Sequence, residues 1–149
     1  MITLGAYWMS RDLKYPMEWT VAIRANGQRT VDAVNPLLEI YEAETGIVLD
    51  QVASGWRPQA VNDATANSGS RSKHVTALAC DVRDASGAFP RWCARNPAKL
   101  REAGLYMEDW HWTPTWCHLQ PVPPGSGRTM YYPFDPAEHP PQIPIEERP

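Results

Sequence analysis

Cysteine is scarce and unpaired in this 149-residue chain. The three cysteines, Cys80, Cys93 and Cys117, are an odd number without a C-x-x-C pair, which argues against a disulfide scaffold and favours synthesis in a reducing cytosol. No apolar run approaches the ~20 residues that a membrane-spanning helix needs. The first residues carry neither the basic start nor the apolar stretch of an export signal. We therefore expect synthesis in the cytoplasm without a signal peptide, and no membrane span.

The chain also lacks a large excess of positive or negative charge. Fourteen basic and 17 acidic residues give a net charge of −3 and an isoelectric point near 5.8, so we expect no nucleic-acid partner, because such proteins concentrate lysine and arginine. The length suits one domain, which at this size buries roughly 68–70% of its unfolded surface. What the chain has in abundance is proline (15) and tryptophan (7). Tryptophans either pack in a core or offer a surface for flat or saccharide-like ligands.

Helix and strand patterns are both present without a βαβ rhythm. They predict an α+β fold with a small antiparallel sheet and flanking helices. A helix is expected from Pro36 to Thr45, capped by Asn35 and closed by Gly46, because Pro36 suits the first position of a helix and not its interior. A break is expected at Asn96-Pro97. The other predicted elements are strands at 47–54, 77–82, 105–110 and 116–120, helical segments at 59–66 and 88–103, and a loop at 67–72.

The end of the chain has a different composition. From Pro121 onward nine of 29 residues are proline, so this part is expected to be extended. Either it wraps the domain, with Tyr131, Tyr132 and Phe134 anchoring it, or it hangs free. The predicted organisation is one domain over residues 1–133 and a proline-rich tail over 134–149.

A metal site is suggested by two of the four histidines and one aspartate. Hydrolytic zinc sites use three protein ligands and keep one position for water, and His74, Asp81 and His118 supply two imidazoles and one carboxylate. The strand period places Cys80 and Cys117 on the opposite face from their neighbours Asp81 and His118. We therefore expect both cysteines to be small core residues and not ligands.

The spacing of these residues resembles a known family. Ser72-x-His74-x6-Asp81, preceded by Ser-Gly-x-Arg at 54–57 and followed by Trp-x-His at 116–118, resembles the zinc D-Ala-D-Ala carboxypeptidases, which include VanX/VanY-type dipeptidases and phage L-Ala-D-Glu endolysins. Their S-x-H-x-x-G-x-A-x-D pattern is matched, with Ala77 where glycine is usual. The resemblance extends from residue 47 to 133. It implies one Zn²⁺ ion on His74, Asp81 and His118, a peptidoglycan stem-peptide substrate and the small α+β fold of hedgehog and DD-peptidase domains.

One departure from the family pattern concerns the general base. The usual carboxylate three residues before the last histidine is replaced by Thr115, whose hydroxyl is not basic near neutral pH. Either His118 binds the metal and Glu108 (or Asp109) reaches the water, or His111 is the ligand and Glu108 its partner. We favour His118, and Glu108 is the preferred base in both versions.

Two further residues are candidates for substrate contact. The planar guanidinium of Arg57 can bind a stem-peptide carboxylate through two parallel hydrogen bonds. Ser72 either holds the ligand loop or contacts substrate. Four tryptophans near the motifs either line the cleft or cover the core: Trp56, Trp110, Trp112 and Trp116.

The function expected from the sequence is metal-assisted hydrolysis of amide bonds in peptidoglycan stem peptides, as a DD-carboxypeptidase or an endopeptidase of the endolysin type. The alternative is a catalytically inactive cell-wall-binding or phage structural protein that keeps the fold, which the substitution at Thr115 favours. The protein is expected to be a monomer that acts in the periplasm or cell wall, with a phage origin fitting a lysin that needs no export signal.

Overall fold

A computed structural model describes residues 1–66, 68–69 and 71–145. Asn67 and Ser70 of the expected loop, and the last four residues of the tail, lie outside the described residues. The described part contains six helices and five strands. These elements are α1 (Leu4–Trp8), α2 (Arg11–Lys14), α3 (Val21–Thr45), β1 (Val52–Ser54), α4 (Gln59–Asp63), β2 (Cys80–Arg83), α5 (Ala88–Arg95), α6 (Pro97–Glu102), β3 (Tyr106–Glu108), β4 (Trp116–Gln120) and β5 (Met130–Tyr131).

The strands form one mixed sheet in the order β1-β2-β4-β3-β5. This confirms the α+β class, but the expectation of a wholly antiparallel sheet is wrong, because β5 pairs with β3 in parallel. The reason is topological. β2 and β3 occupy both edges of β4, so the chain leaving β4 reverses once and returns along the free edge of β3, in the same direction as β3.

Helix α3 corrects the expectation of a helix starting at Pro36. It begins at Val21, behind the N-cap Thr20, and contains Pro36 in its interior. A mid-helix proline costs about 3 kcal/mol, but each fully buried aliphatic or aromatic side chain stabilises the fold by about 1.5–3 kcal/mol. The helix buries five such side chains around the proline, namely Val31, Val34, Leu37, Leu38 and Tyr41.

Asn35 does not cap a helix, since it lies inside α3. Its amide group instead binds the backbone of Ile2, accepting the N–H at 2.8 Å and donating to the carbonyl at 3.0 Å. Gly46 closes the helix with φ +74°, as predicted. The proline that seemed to forbid a longer helix is thus tolerated because tertiary contacts hold the segment on both sides of it.

The remaining elements follow the sequence more closely. The expected strand 116–120 is β4 without change, and the break at Asn96-Pro97 separates α5 from α6. The expected strand 47–54 is reduced to β1, and the strands at 77–82 and 105–110 are shorter or shifted in β2 and β3. No helix among the described residues combines the length and the apolar character that crossing a bilayer requires.

The two faces of the β2/β4 pair lead to different surroundings. Cys80, Val82, Cys117 and Leu119 point into the hydrophobic core, which they share with helices α1, α3 and α5. Both cysteines on this face are buried and free, as expected. The opposite face carries Asp81 and His118 and lines a cavity of about 1010 Å³.

Candidate metal centre

The pairing of β2 with β4 places two of the predicted ligands next to each other. In the antiparallel register Asp81 lies opposite His118, and directly opposed residues in a sheet have Cβ atoms about 4.5–5.5 Å apart. Their side chains therefore share one face of the sheet. Both residues are buried, with 7% and 6% of their surface exposed.

His74 reaches the same place from the loop before β2. The Ser72 hydroxyl accepts the His74 backbone N–H at 3.3 Å, and the His74 carbonyl accepts the N–H of Arg57 at 3.0 Å and of Ala77 at 3.1 Å. Ala77 has a left-handed backbone with φ +57°, a conformation that glycine adopts without steric cost. Glycine would therefore be the less strained residue at this position.

Three donor atoms of these residues converge. His118 Nδ1 lies 2.8 Å from Asp81 Oδ1, His74 Nε2 lies 3.2 Å from Asp81 Oδ1, and the two nitrogens are 3.3 Å apart. In a tetrahedral zinc site with ligand bonds of 2.0–2.1 Å, neighbouring donors are about 3.3 Å apart. The group can hold a metal ion, and the donor set and spacing fit zinc.

The other nitrogen of each imidazole is engaged elsewhere. His74 Nδ1 lies 2.7 Å from the Gly55 carbonyl, which can only accept, so this nitrogen carries the proton and leaves Nε2 free to bind a metal. His118 Nε2 lies 3.4 Å from Gln120 Oε1, which also accepts the Tyr131 hydroxyl at 2.8 Å. These contacts orient both rings with a lone pair towards the shared point.

Burial and mutual charge act in opposite directions on these groups. Burial alone would raise the pKa of Asp81, but the charges and hydrogen bonds of His74 and His118 hold that pKa well below its usual range. Burial lowers the pKa of His74. For His118 burial is outweighed by Glu108 and Asp81, which raise its pKa to about 9. Without a metal, the arrangement therefore favours a charged His118 beside an ionised Asp81.

Glu108 lies at the edge of this cluster. It follows Met107, which pairs with Leu119, so it lies beside His118 on the neighbouring strand. Its Oε1 is 3.9 Å from His118 Nε2. Burial raises the pKa of Glu108, and the His118 and Arg57 charges oppose that rise.

The other candidates for the base and for the third ligand lie elsewhere. Thr115 is exposed, and neither it, Asp109 nor His111 is among the described residues that line the cavity. His111 Nδ1 instead contacts Asp109 Oδ1 at 2.5 Å, and its ring stacks on Trp110 at 3.9 Å between centroids. The structure thus brings His118, and not His111, to His74 and Asp81.

Arg57 and Ser72 both line the cavity, as does Arg11, which the sequence interpretation missed. Arg57 is only 9% exposed, and its Nε has no hydrogen-bond partner in the described part of the chain. Burial lowers the pKa of Arg57, against the influence of Asp81 and Glu108. Gln120 and Tyr131 were missed as well. Gln120 carries the two-residue period that places it on the face of His118, whereas Tyr131 has no local signal.

The tryptophans divide between the two expected roles. Trp112 and Trp116 line the cavity. Trp56 is a core residue whose ring lies 6.1 Å from that of Trp8. Trp110 is close to the Arg91 guanidinium, 5.6 Å from its ring centroid. Only two of the four therefore remain candidates for stacking on a ligand.

The described part of the tail lies against the domain. The Trp112 indole N–H donates to the His139 carbonyl at 3.1 Å, and Gln142 Nε2 donates to the Trp112 carbonyl at 3.0 Å. The Tyr132 ring lies 4.9 Å from that of Trp112. One wall of the cavity includes Pro133 and five tail residues, namely Phe134, Glu138, His139, Pro140 and Gln142.

Comparison with known proteins does not identify a family for this chain. No protein-family profile, no curated protein and no solved structure matches it. Any function must therefore be argued from the site itself.

Proposed function

We propose that this protein is a zinc-dependent peptidase that hydrolyses amide bonds in peptidoglycan stem peptides, as a DD-carboxypeptidase or an endopeptidase. The observation that carries the proposal is the placement of Glu108 beside a buried His74–Asp81–His118 cluster in one cavity. Three ligands with a neighbouring carboxylate are the set that metal-assisted hydrolysis requires. The motif spacing described above supports the choice of substrate.

The residues of the cluster fit a catalytic ion better than a structural one. Structural zinc is held by four protein ligands, whereas three donors converge here and the cluster opens onto a large cavity. A zinc ion bound there would lower the pKa of its bound water to ~7 and polarise the scissile carbonyl. Asp81 supplies one negative charge, and the hydrogen bonds of the two histidines keep both rings in place.

Glu108 is the proposed general base and acid. It takes a proton from the attacking water and returns it to the leaving amine, a role that typically contributes 10²–10⁴-fold. Its partial burial suits this role, because a carboxylate with a raised pKa holds the proton more readily than an exposed one. Thr115 is exposed and does not line the cavity, whereas Glu108 of β3 does. This placement supports a hydrolase over an inactive wall-binding protein, because Glu108 offers the carboxylate that this chain lacks at position 115.

Arg57 is the proposed contact for a carboxylate of the substrate. Its buried guanidinium lines the cavity with one N–H unpaired among the described residues, and an anion would satisfy it. Ser72 is proposed to hold the ligand loop, because its hydroxyl already accepts the His74 N–H. A site of action in the periplasm or cell wall, a monomeric state and a phage origin remain predictions of this proposal.

Cell-wall zymography tests the proposal directly. Purified protein should clear a gel containing peptidoglycan, lose the clearing when a chelator is added and regain it when zinc is returned. The T115A variant is the matched control and should clear as well as the wild type. Protein that is loaded with metal and binds the wall without clearing it would favour the inactive binder.

A further inference from the structure

The cavity contains a second guanidinium close to Arg57. Arg11, in helix α2, donates from Nη1 to the carbonyl of Trp56 at 2.5 Å, the residue immediately before Arg57. Both arginines line the cavity that contains the metal cluster. Although Arg11 and Arg57 are far apart in the chain, this hydrogen bond holds the Arg11 guanidinium against the loop that carries Arg57.

Neither guanidinium is neutralised by a contact. In the residues that the structure describes, no carboxylate oxygen lies within 4.0 Å of Arg11 or Arg57. Burial and the charge of Arg57 lower the pKa of Arg11. Arg57 is buried and Arg11 is half-buried. A buried cation without its counter-charge is costly, and an anion that joins the two guanidinium groups would offset that cost.

The other charges at the cavity do not remove this excess. Asp81 and Glu108 influence Arg57 from the metal cluster, but Asp81 is already engaged by His74 and His118. Arg71 and Lys73 add two further positive charges to the lining, and Glu138 adds one negative charge. The loop around Arg57 is therefore a basic part of the cavity, beside the cluster and distinct from it.

We infer that Arg11 and Arg57 together bind a free carboxylate of a peptide ligand, with Arg11 as a substrate-binding residue of the cavity. Arg57 offers its unpaired Nε–H, and Arg11 offers the guanidinium N–H groups that do not bind Trp56. Planar guanidinium groups suit a planar carboxylate. The choice of a peptide as the ligand rests on the proposed function, whereas the anion site itself rests on the two arginines.

The test compares an acid with its amide. Metal-free protein labelled with ¹⁵N is titrated with N-acetyl-alanyl-alanine and with the same dipeptide carrying a C-terminal amide, and binding is followed by NMR. A hydrogen bond to a charged group contributes about 1.5–3 kcal/mol, so R11Q should weaken binding of the acid by about 10-fold or more and leave the amide within twofold. R57Q should behave in the same way, and R101Q, a change of an exposed residue in α6, should match the wild type.

Several results decide the matter. The inference would be overturned if folded R11Q kept the wild-type preference for the acid over the amide. It would also be overturned if inorganic phosphate displaced the acid as effectively as a second peptide acid. If R11Q does not fold, R11K decides, because it keeps the charge but loses the planar group. A threefold or greater loss of acid binding in R11K supports the inference, and wild-type binding overturns it. No turnover is measured, so a failure here leaves the hydrolase proposal standing, and the absence of hydrolysis leaves the anion site standing.

Discussion

The two faces of the β2/β4 pair are both buried at their centre but hold opposite kinds of side chain. On one face Val82 and Leu119 are completely enclosed by apolar neighbours. On the other face Asp81 and His118 are buried with donor atoms 2.8 Å apart. Burial stabilises the first pair through loss of apolar surface to water, whereas it penalises the second pair unless the charges find partners. The comparison teaches that one face serves stability and the other retains ionisable groups despite their cost.

The largest expected effect is the loss of metal binding when a candidate ligand on the polar face is removed. Loss of a residue that only hydrogen-bonds to a metal ligand lowers metal affinity by about 10–100-fold. We expect H118A, which removes a candidate ligand itself, to lower metal affinity by more than this and to lower hydrolysis with it. H111A is the matched control, and it should keep the metal content of the wild type. The zinc stoichiometry of the two purified variants tests this expectation. Loss of metal in H111A and not in H118A would assign the third ligand to His111.

Replacement of the proposed base should separate metal binding from chemistry on the same face. We expect E108Q to lower kcat by about 10²–10⁴-fold while its metal content stays at the wild-type level. The reason is that Glu108 contacts the cluster from the neighbouring strand without contributing a donor to it. A variant that loses metal together with activity would place Glu108 among the ligands.

Shortening a side chain on the apolar face should lower the stability of the fold and leave metal binding unchanged. Leu119 is completely buried, and a leucine-to-alanine change in a core costs about 2–5 kcal/mol of stability. We expect L119A to show that loss in chemical denaturation and to bind metal as tightly as the wild type while folded. A large change in metal affinity in folded L119A would show that the two faces are not independent.

The pH dependence of stability should differ between the faces in metal-free protein. The folded-state pKa of His118 is raised from 6.5 to about 9, so its contribution is fully present below pH 6.5 and is lost as the pH rises to 9. We expect the melting temperature of the metal-free chain to fall over that range. H118Q should flatten the dependence, and an equally steep fall in H118Q would assign it to another group.

The smallest effect is expected for Ala77, in the loop before β2. Ala77 is fully buried with φ +57°, and the left-handed conformation costs a non-glycine residue about 1–2 kcal/mol. In A77G this relief is offset by the lost methyl group and by the freer unfolded chain. We expect a net change within about 1 kcal/mol by denaturation, whereas A77V should destabilise more, because a β-branched residue tolerates this conformation poorly.

The parts of the molecule that sequence could predict are those set by local pattern. The strand 116–120 and the break at Asn96-Pro97 follow from alternation and from proline geometry, and both are present. The spacing of His74, Asp81 and His118 was enough to nominate three residues that the fold brings together. Nothing local, however, indicated that α3 would continue through Pro36, because the compensating contacts come from distant residues such as Ile2.

Features that depend on long-range packing were missed for the same reason. The parallel pairing of β5 arises from which strand edges are already occupied, and a sequence pattern does not record this. Arg11 belongs to the cavity only through its bond to the Trp56 carbonyl, 45 positions away. Sequence-based prediction therefore reached the three candidate ligands and the neighbouring Glu108, Arg57 and Ser72. It missed Arg11, Gln120 and Tyr131.

The close approach of Gly55 to the first helix has a practical consequence. A Cβ atom at Gly55 would lie 1.9 Å from the Tyr7 carbonyl oxygen, and the carbonyl of Gly55 itself holds the His74 ring. The amino-terminal segment thus packs against the backbone that orients the His74 ring, although it contributes no residue to the candidate metal cluster. Anyone who trims this protein, or diversifies it in a mutant library, should leave α1 and residue 55 untouched, since a change there would disturb the His74 ring from a distance.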